Sequence, residues 1–114
     1  MSLPEPDAVR LRHMLDAAGR ALQFCAGRRL EDLHGDAMLR SALVHTITVV
    51  EEAASKVTQP TRDGLPEMAW ASMVGIRNRL VHAYFDIDSD ILWPTVNERL
   101  PPLATKLRTL LSTS

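Results

Sequence analysis

Apolar residues recur at helical spacing along almost the whole chain, and no convincing strand alternation interrupts them. The pattern predicts a first helix from Pro6 or Asp7 to about Gly27, and a second from an N-cap at Asp36 to about Thr58. The second helix is expected to turn one stripe toward the core: Leu39, Leu43, Ile47, Val50, Ala54 and Val57. Residues 30–35 are expected to connect the two helices.

The second half of the chain is punctuated by turn-forming residues. Residues 59–65 contain Pro60 and Gly64 and predict a loop, after which a third helix is expected from Pro66 to about Tyr84. Asp88 or Asp90 should cap a fourth helix, which Pro101-Pro102 should break or kink before a last helical segment at 103–111. The predicted fold is one domain, residues 1–114: an all-α, antiparallel up-and-down bundle of four to five helices.

Composition narrows the functional classes. With 114 residues, 46% of them hydrophobic and few aromatic, the chain can form one modest core. The formal net charge of -1 provides no global basic field, so any contact with nucleic acid must be local. Cys25 is the sole cysteine and is expected to be a buried structural thiol. No signal-peptide pattern or bilayer-length apolar run is present, which favours a soluble protein of the cytoplasm, without a membrane partner.

The most unusual segment sets four polar residues into an apolar helical pattern. On a helical wheel Arg77 and Tyr84 lie near the middle of the apolar arc, and Asn78 and His82 share its edge. A guanidinium in such a stripe needs a carboxylate, a bound anion or a wet cleft. Two interpretations stay open on spacing alone: an internal salt bridge with a core histidine, or an anion-binding site.

Other candidate residues have simpler explanations. His45 and Glu52 are cofacial on the second helix and are interpreted as a structural pair, although Glu52 is also the natural counter-charge for Arg77. His13 and His34 are expected to be solvated, and no Cys, His or carboxylate cluster has the spacing of metal ligands. No phosphate-binding glycine loop or nucleophile elbow is visible, so neither a metal nor a cofactor is expected.

The run R-N-R-L-V-H-A-Y resembles the signature of HEPN-domain toxins of the HepT type, in which Arg, four residues, His, one residue and Tyr follow one another. Arg77, His82 and Tyr84 occupy these positions. Flanking segments resemble the family as well, at Glu52-Ala53-Ala54, Pro66 to Trp70, Leu92-Trp93 and Leu100-Pro101. Two features depart from it: Glu51 stands where the family commonly has Gly, and Met68-Ala69 replaces its Ile-Pro.

This resemblance implies the toxin of a toxin-antitoxin pair, a metal-independent endoribonuclease acting on RNA. It implies a homodimer whose motif helices line a shared cleft. Arg77, His82 and Asn78 would be catalytic, with Asn78 orienting His82 or the phosphate and Glu52 in support. The expected partner is a minimal nucleotidyltransferase antitoxin, which would nucleotidylate Tyr84. Two alternatives remain: a non-catalytic helical module that holds a nucleotide for such a nucleotidyltransferase, and a helical scaffold that the motif merely stabilises.

Overall fold

The computed structural model describes residues 3–82 and 86–113, and these are almost entirely helical. At the centre, helix α1 (Glu5–Cys25) packs along helix α3 (Ala37–Ser55), and the C-terminal helix α8 (Leu100–Thr113) also packs against α1. Buried aliphatic side chains from all three helices join in one core, together with Met14 of α1. The predicted all-α helical bundle is therefore confirmed. None of the described helices is both long enough and apolar enough to cross a membrane.

The two long helices form where the apolar pattern predicts them. Asp36 caps α3 as expected, because its carboxylate accepts a hydrogen bond of 3.0 Å from the backbone N–H of Leu39. The predicted α3 stripe is buried, and α1 buries the residues Leu11, Met14, Ala18, Ala21 and Cys25 against it. Cys25 is thus the buried thiol that the sequence predicts, and burial raises the pKa of this group.

A buried carboxylate fixes the start of α1 to the turn that follows α3. Asp7 is only 1% exposed. It accepts hydrogen bonds from the backbone N–H of Thr58 at 3.0 Å, from the Thr58 hydroxyl at 2.6 Å and from the Thr61 hydroxyl. The three bonds satisfy a charge that would otherwise be costly to bury. They join segments more than fifty residues apart in the sequence.

Two segments predicted as a connection and a loop are short helices instead. Helix α2 (Leu30–Gly35) begins where the Asp32 carboxylate accepts a 2.8 Å hydrogen bond from the backbone N–H of Arg29. Helix α4 (Gln59–Asp63) carries Pro60 in its first turn, a position where a missing N–H costs nothing. Five or six residues are too few to show a helical repeat of apolar positions, so these predictions were wrong for lack of a signal.

The predicted continuous third helix from Pro66 to about Tyr84 is also wrong. The structure has a 3₁₀ turn (Pro66–Met68), helix α5 (Trp70–Met73) and helix α6 (Ile76–Leu80). The breaks fall at Ala69 and Gly75, whose φ angles of 52° and 74° are left-handed and incompatible with a right-handed helix. At Gly75 this conformation carries no Cβ penalty.

A small hairpin follows α6. Strand β1 (Val81–His82) pairs antiparallel with strand β2 (Asp86–Ile87), with Val81 opposite Ile87 and His82 opposite Asp86. The backbone N–H of Asp88 donates a 2.8 Å hydrogen bond to the carbonyl of Leu80, which closes the base of the hairpin. The Arg-to-His part of the motif therefore runs from a helix into a strand. Tyr84 lies outside the described residues.

The C-terminal region is helical throughout. Asp88 caps helix α7 (Ser89–Pro94) by accepting hydrogen bonds from the backbone N–H groups of Asp90 and Ile91. A π-helical segment (Thr95–Arg99) leads into α8, which has Pro101 and Pro102 in its first turn. This wider turn accommodates two residues that lack N–H donors and whose rings crowd the preceding carbonyls. The predicted break at Pro101-Pro102 is thus a local widening.

Candidate active site

The helix that carries Arg77 is positioned by Glu51, a half-buried residue of α3. One carboxylate oxygen of Glu51 accepts a hydrogen bond of 2.8 Å from the backbone N–H of Gly75, and the other accepts one of 3.1 Å from the backbone N–H of Arg77. These donors are among the N–H groups that a helix leaves unpaired at its start. A negative charge at this end is also favourable to the helix dipole. Glu51 therefore attaches the start of α6 to α3.

Glu52, the predicted counter-charge of Arg77, is exposed, and no ion pair between the two is found in the described part of the chain. The acidic residue that reaches the motif helix is its neighbour, Glu51, through backbone N–H groups. The interpretation of His45 and Glu52 as a structural pair is likewise wrong. Both are exposed, and seven residues along a helix separate them by roughly 10 Å.

The Arg77 side chain is half-buried in an open groove between α3 and the motif segment. The groove has a volume of about 360 Å³ and is lined by Ser41, Val44, His45, Thr48, Arg77, Val81 and Ile87. Arg77 makes no ion pair with any carboxylate among residues 3–82 and 86–113. Of the two interpretations left open by the sequence, the structure thus favours an arginine that faces a cleft over one buried in a salt bridge.

The predicted site residues next to Arg77 are distributed along α6 and β1. Asn78 is exposed on α6, immediately after Arg77. Arg79 is exposed as expected, and its guanidinium donates a 2.9 Å hydrogen bond to the Ser72 carbonyl. The backbone of His82 lies in β1, directly after Val81, which lines the groove. Because α6 ends at Leu80, the helical-wheel position predicted for His82 does not apply.

The groove is also lined by His45, which the sequence did not place near Arg77. His45 is exposed on α3 and faces the same groove as Arg77, although thirty-two positions separate them in the sequence. Sequence spacing cannot show such a juxtaposition, because it depends on how α6 is attached to α3. No group of three or more His, Cys, Asp or Glu side chains arranged to hold a metal ion occurs among the described residues.

Glu51→Ala should disturb the position of Arg77 more than it weakens folding. Removal of the carboxylate leaves the N–H groups of Gly75 and Arg77 without their partner, which should lower the free energy of unfolding by about 1 kcal/mol. The RNA cleavage that the resemblance implies should fall roughly ten- to a hundredfold, since a small misplacement of a positioning group can cost about 10²-fold in rate. Urea unfolding and initial cleavage rates measure the two effects.

The matched control for this change is Glu52→Ala, which removes the exposed neighbouring carboxylate. It should change neither the free energy of unfolding nor the rate of RNA cleavage appreciably. A larger loss of cleavage in Glu52→Ala than in Glu51→Ala would contradict the assignment of Glu51 as the residue that holds α6.

Comparison with known proteins defines the class to which this fold and groove belong. Residues 14–110 match the model of a family described as HepT-like ribonucleases. The chain belongs to this family and is a ribonuclease, which confirms the resemblance based on Arg77, His82 and the flanking segments.

Several named proteins are similar over most of their length. "Probable ribonuclease HepT" of Thermococcus cleftensis is 32% identical over 80 residues, which are 70% of this chain and 73% of that protein. "Putative RNase MJ1380" of Methanocaldococcus jannaschii is 30% identical over 93 residues, 82% of this chain and 85% of the relative. "Putative RNase TTE0752" of Caldanaerobacter subterraneus is 26% identical over 111 residues, 97% of this chain and 96% of the relative. No solved structure matches the chain.

Proposed function

We propose that this ribonuclease cuts RNA internally and without a metal ion, using the 2′-hydroxyl of the RNA as nucleophile. The observation that carries the proposal is the half-buried Arg77, which lines an open groove without a carboxylate partner among the described residues. A guanidinium in this position can bind the oxygens of a phosphate through two parallel hydrogen bonds. The same sequence motif contains His82, and an imidazole can accept or donate a proton near neutral pH.

In the proposed reaction the 2′-oxygen attacks the adjacent phosphorus. The bond from phosphorus to the 2′-oxygen forms, and the bond from phosphorus to the 5′-oxygen breaks. A base takes the 2′ proton, and an acid gives a proton to the departing 5′-oxygen. Arg77 stabilises the negative charge that develops on the phosphate, and electrostatic stabilisation of this kind is commonly the largest contribution to rate. His82 takes part in proton transfer, and Asn78 orients His82 or the phosphate through its amide.

The products test this mechanism. Cleavage should persist in the presence of a chelator and should leave a 2′,3′-cyclic phosphate, or its hydrolysed form, on the upstream fragment. The downstream fragment should begin with a 5′-hydroxyl. End-group analysis of a defined RNA, cut with and without chelator, measures both properties. A 3′-hydroxyl on the upstream fragment, or activity that chelator removes and a divalent ion restores, would sink the internal-nucleophile mechanism.

We further propose that the enzyme acts as a homodimer in the cytoplasm. The family resemblance supports pairing of the motif segments across a shared cleft, and pairing would concentrate positive charge that a single chain of net charge -1 lacks. Light scattering at micromolar concentration should show the dimer. A monomer that cleaves RNA at full rate would contradict the shared cleft.

The proposed biological role is that of a toxin controlled by a minimal nucleotidyltransferase. This partner would transfer AMP from ATP to the Tyr84 hydroxyl and release pyrophosphate. Tyr84 follows Arg77 by seven residues, so the new phosphodiester would add bulk and negative charge to the motif. There it can pair with the guanidinium and exclude the RNA phosphate. The proposal rests on the motif, because Tyr84 lies outside the described residues.

Tyr84→Phe should keep substantial RNA cleavage and escape neutralisation by the cognate nucleotidyltransferase. The variant lacks only the hydroxyl that would accept the nucleotide. Growth after co-expression measures escape, and intact-mass spectrometry of the co-expressed wild type should show AMP on Tyr84. Wild-type toxin that is silenced by its partner while it remains unmodified would indicate control by occlusion and contradict nucleotidylation.

A further inference from the structure

The groove that contains Arg77 has an unusual combination of groups. Along one face of α3, Ser41, His45 and Thr48 follow one another at helical spacing and form one wall, and Arg77 and Val81 contribute from the motif segment. Val44 and Ile87 add apolar surface. The lining contains one guanidinium, one imidazole and two hydroxyl groups, and none of its residues is acidic. Such a lining suits a phosphodiester.

His45 differs from the other histidines whose side chains the structure describes. Its exposed imidazole lines the groove and makes no hydrogen bond or ion pair in the described part of the chain. His34 instead lies 3.7 Å from the Asp90 carboxylate, and the exposed His13 is on α1, away from this groove. A surface histidine without function could occur anywhere on α3; this one lines the groove that Arg77 lines.

The proposed reaction needs a base and an acid, and the motif contributes one histidine to each chain. We propose that His45 is a second catalytic residue, which contacts the scissile phosphodiester beside Arg77 and takes part in proton transfer together with the motif histidine. This inference rests on the proposed function. One imidazole accepts the proton of the attacking 2′-hydroxyl, and the other donates a proton to the 5′-oxygen as its bond to phosphorus breaks. His45 and Arg77 line the same groove, so an imidazole and a guanidinium can both reach a phosphodiester bound there.

The test compares wild-type protein, His45→Ala and the control His13→Ala on one defined RNA. Loss of a general acid or base typically costs about 10²- to 10⁴-fold in rate, and His45→Ala should lose kcat in this range with little change in KM. Free imidazole added to the buffer should restore part of the activity of His45→Ala, because it can enter the space left by the ring. His13→Ala should cleave like the wild type, and thermal unfolding should show that both variants are folded.

Three results would count against the inference. A folded His45→Ala variant that cuts RNA within a few fold of the wild-type rate overturns it and leaves the proposed ribonuclease mechanism intact. A rise in KM with unchanged kcat and no imidazole rescue shows a binding role only and also overturns it. RNA cleavage at the wild-type rate by a folded Arg77→Ala variant refutes the proposed function itself, which separates that failure from a failure of the His45 assignment.

Discussion

Arg77→Ala is expected to reduce RNA cleavage by about 10²- to 10³-fold or more while the protein stays folded. The range is that found when one group that stabilises the developing charge is removed from an enzyme. Folding should survive because the side chain lies at an open groove and makes no ion pair in the part of the chain that the structure describes. The hydrogen bond from the backbone N–H of residue 77 to Glu51 does not need the side chain. His82→Ala is expected to behave in the same way.

Initial cleavage rates together with circular dichroism on heating measure this result. The control is Arg79→Ala, which removes a nearby exposed guanidinium that is bonded to the Ser72 carbonyl. If Arg77→Ala unfolds, the arginine is structural, and the result supports the alternative that the motif only stabilises a helical scaffold. If it folds and cuts RNA at the wild-type rate, the catalytic assignment fails.

Asp7→Ala should cause the largest loss of stability among the substitutions considered for this chain, on the order of 3 kcal/mol in the free energy of unfolding. Hydrogen bonds to charged groups contribute about 1.5 to 3 kcal/mol, and the buried Thr61 hydroxyl left without its partner adds a desolvation penalty. The substitution frees the Thr58 N–H and the hydroxyls of Thr58 and Thr61. Asp16→Ala, which removes an exposed carboxylate from the same helix, is the control. Urea unfolding near neutral pH compares the variants; equal stability would show that Asp7 contributes nothing to the fold.

The contribution of Asp7 should depend on pH in the acid range. Burial alone would raise the pKa of Asp7, but the hydrogen bonds from Thr58 and Thr61 outweigh burial and hold the pKa below its ordinary value of 3.8. The folded state therefore binds a proton more weakly than the unfolded chain. The stabilisation is complete above the ordinary value and is lost as the pH falls through the lower folded-state pKa. The stability difference between wild type and Asp7→Asn should accordingly shrink below about pH 4. A difference independent of pH would contradict the hydrogen-bonded carboxylate.

The long helices and the class of the fold could be predicted because their apolar stripes extend over several turns. α1 and α3 have stripes of this kind, and the caps at Asp36 and Asp88 act over only two or three residues, so local chemistry identifies them. The prediction of a continuous third helix was wrong because the apolar pattern does not reveal where a helix is interrupted. Trp70, Met73, Leu80 and Val81 fit a helical wheel, but the pattern contains no information on the left-handed residues at Ala69 and Gly75. Of these two residues, Gly75 was an indication of a possible break in the sequence, since glycine tolerates the left-handed conformation.

The candidate site could be predicted from the sequence only where its residues are close together in the chain. Arg77, Asn78 and His82 form one motif, and the family resemblance rests on that motif. The positions of Glu51 and His45 depend on the packing of α3 against α6, which spacing along the chain does not encode. Glu51 and Glu52 are adjacent, so a single step of about 100° around the helix decides which of them reaches the N–H groups of α6.

The attachment of α6 to α3 also determines how readily α6 and the hairpin unfold locally. A five-residue helix followed by two-residue strands is far shorter than the length at which such elements are stable alone. Its amide protons should therefore exchange with solvent through local fluctuations, at a lower free energy than those in the middle of α1 and α3. Because the Gly75 and Arg77 amides are both held by the Glu51 carboxylate, their exchange rates should rise together when that single attachment is lost. Competence to cleave RNA would then be set by a local equilibrium that global unfolding experiments do not detect.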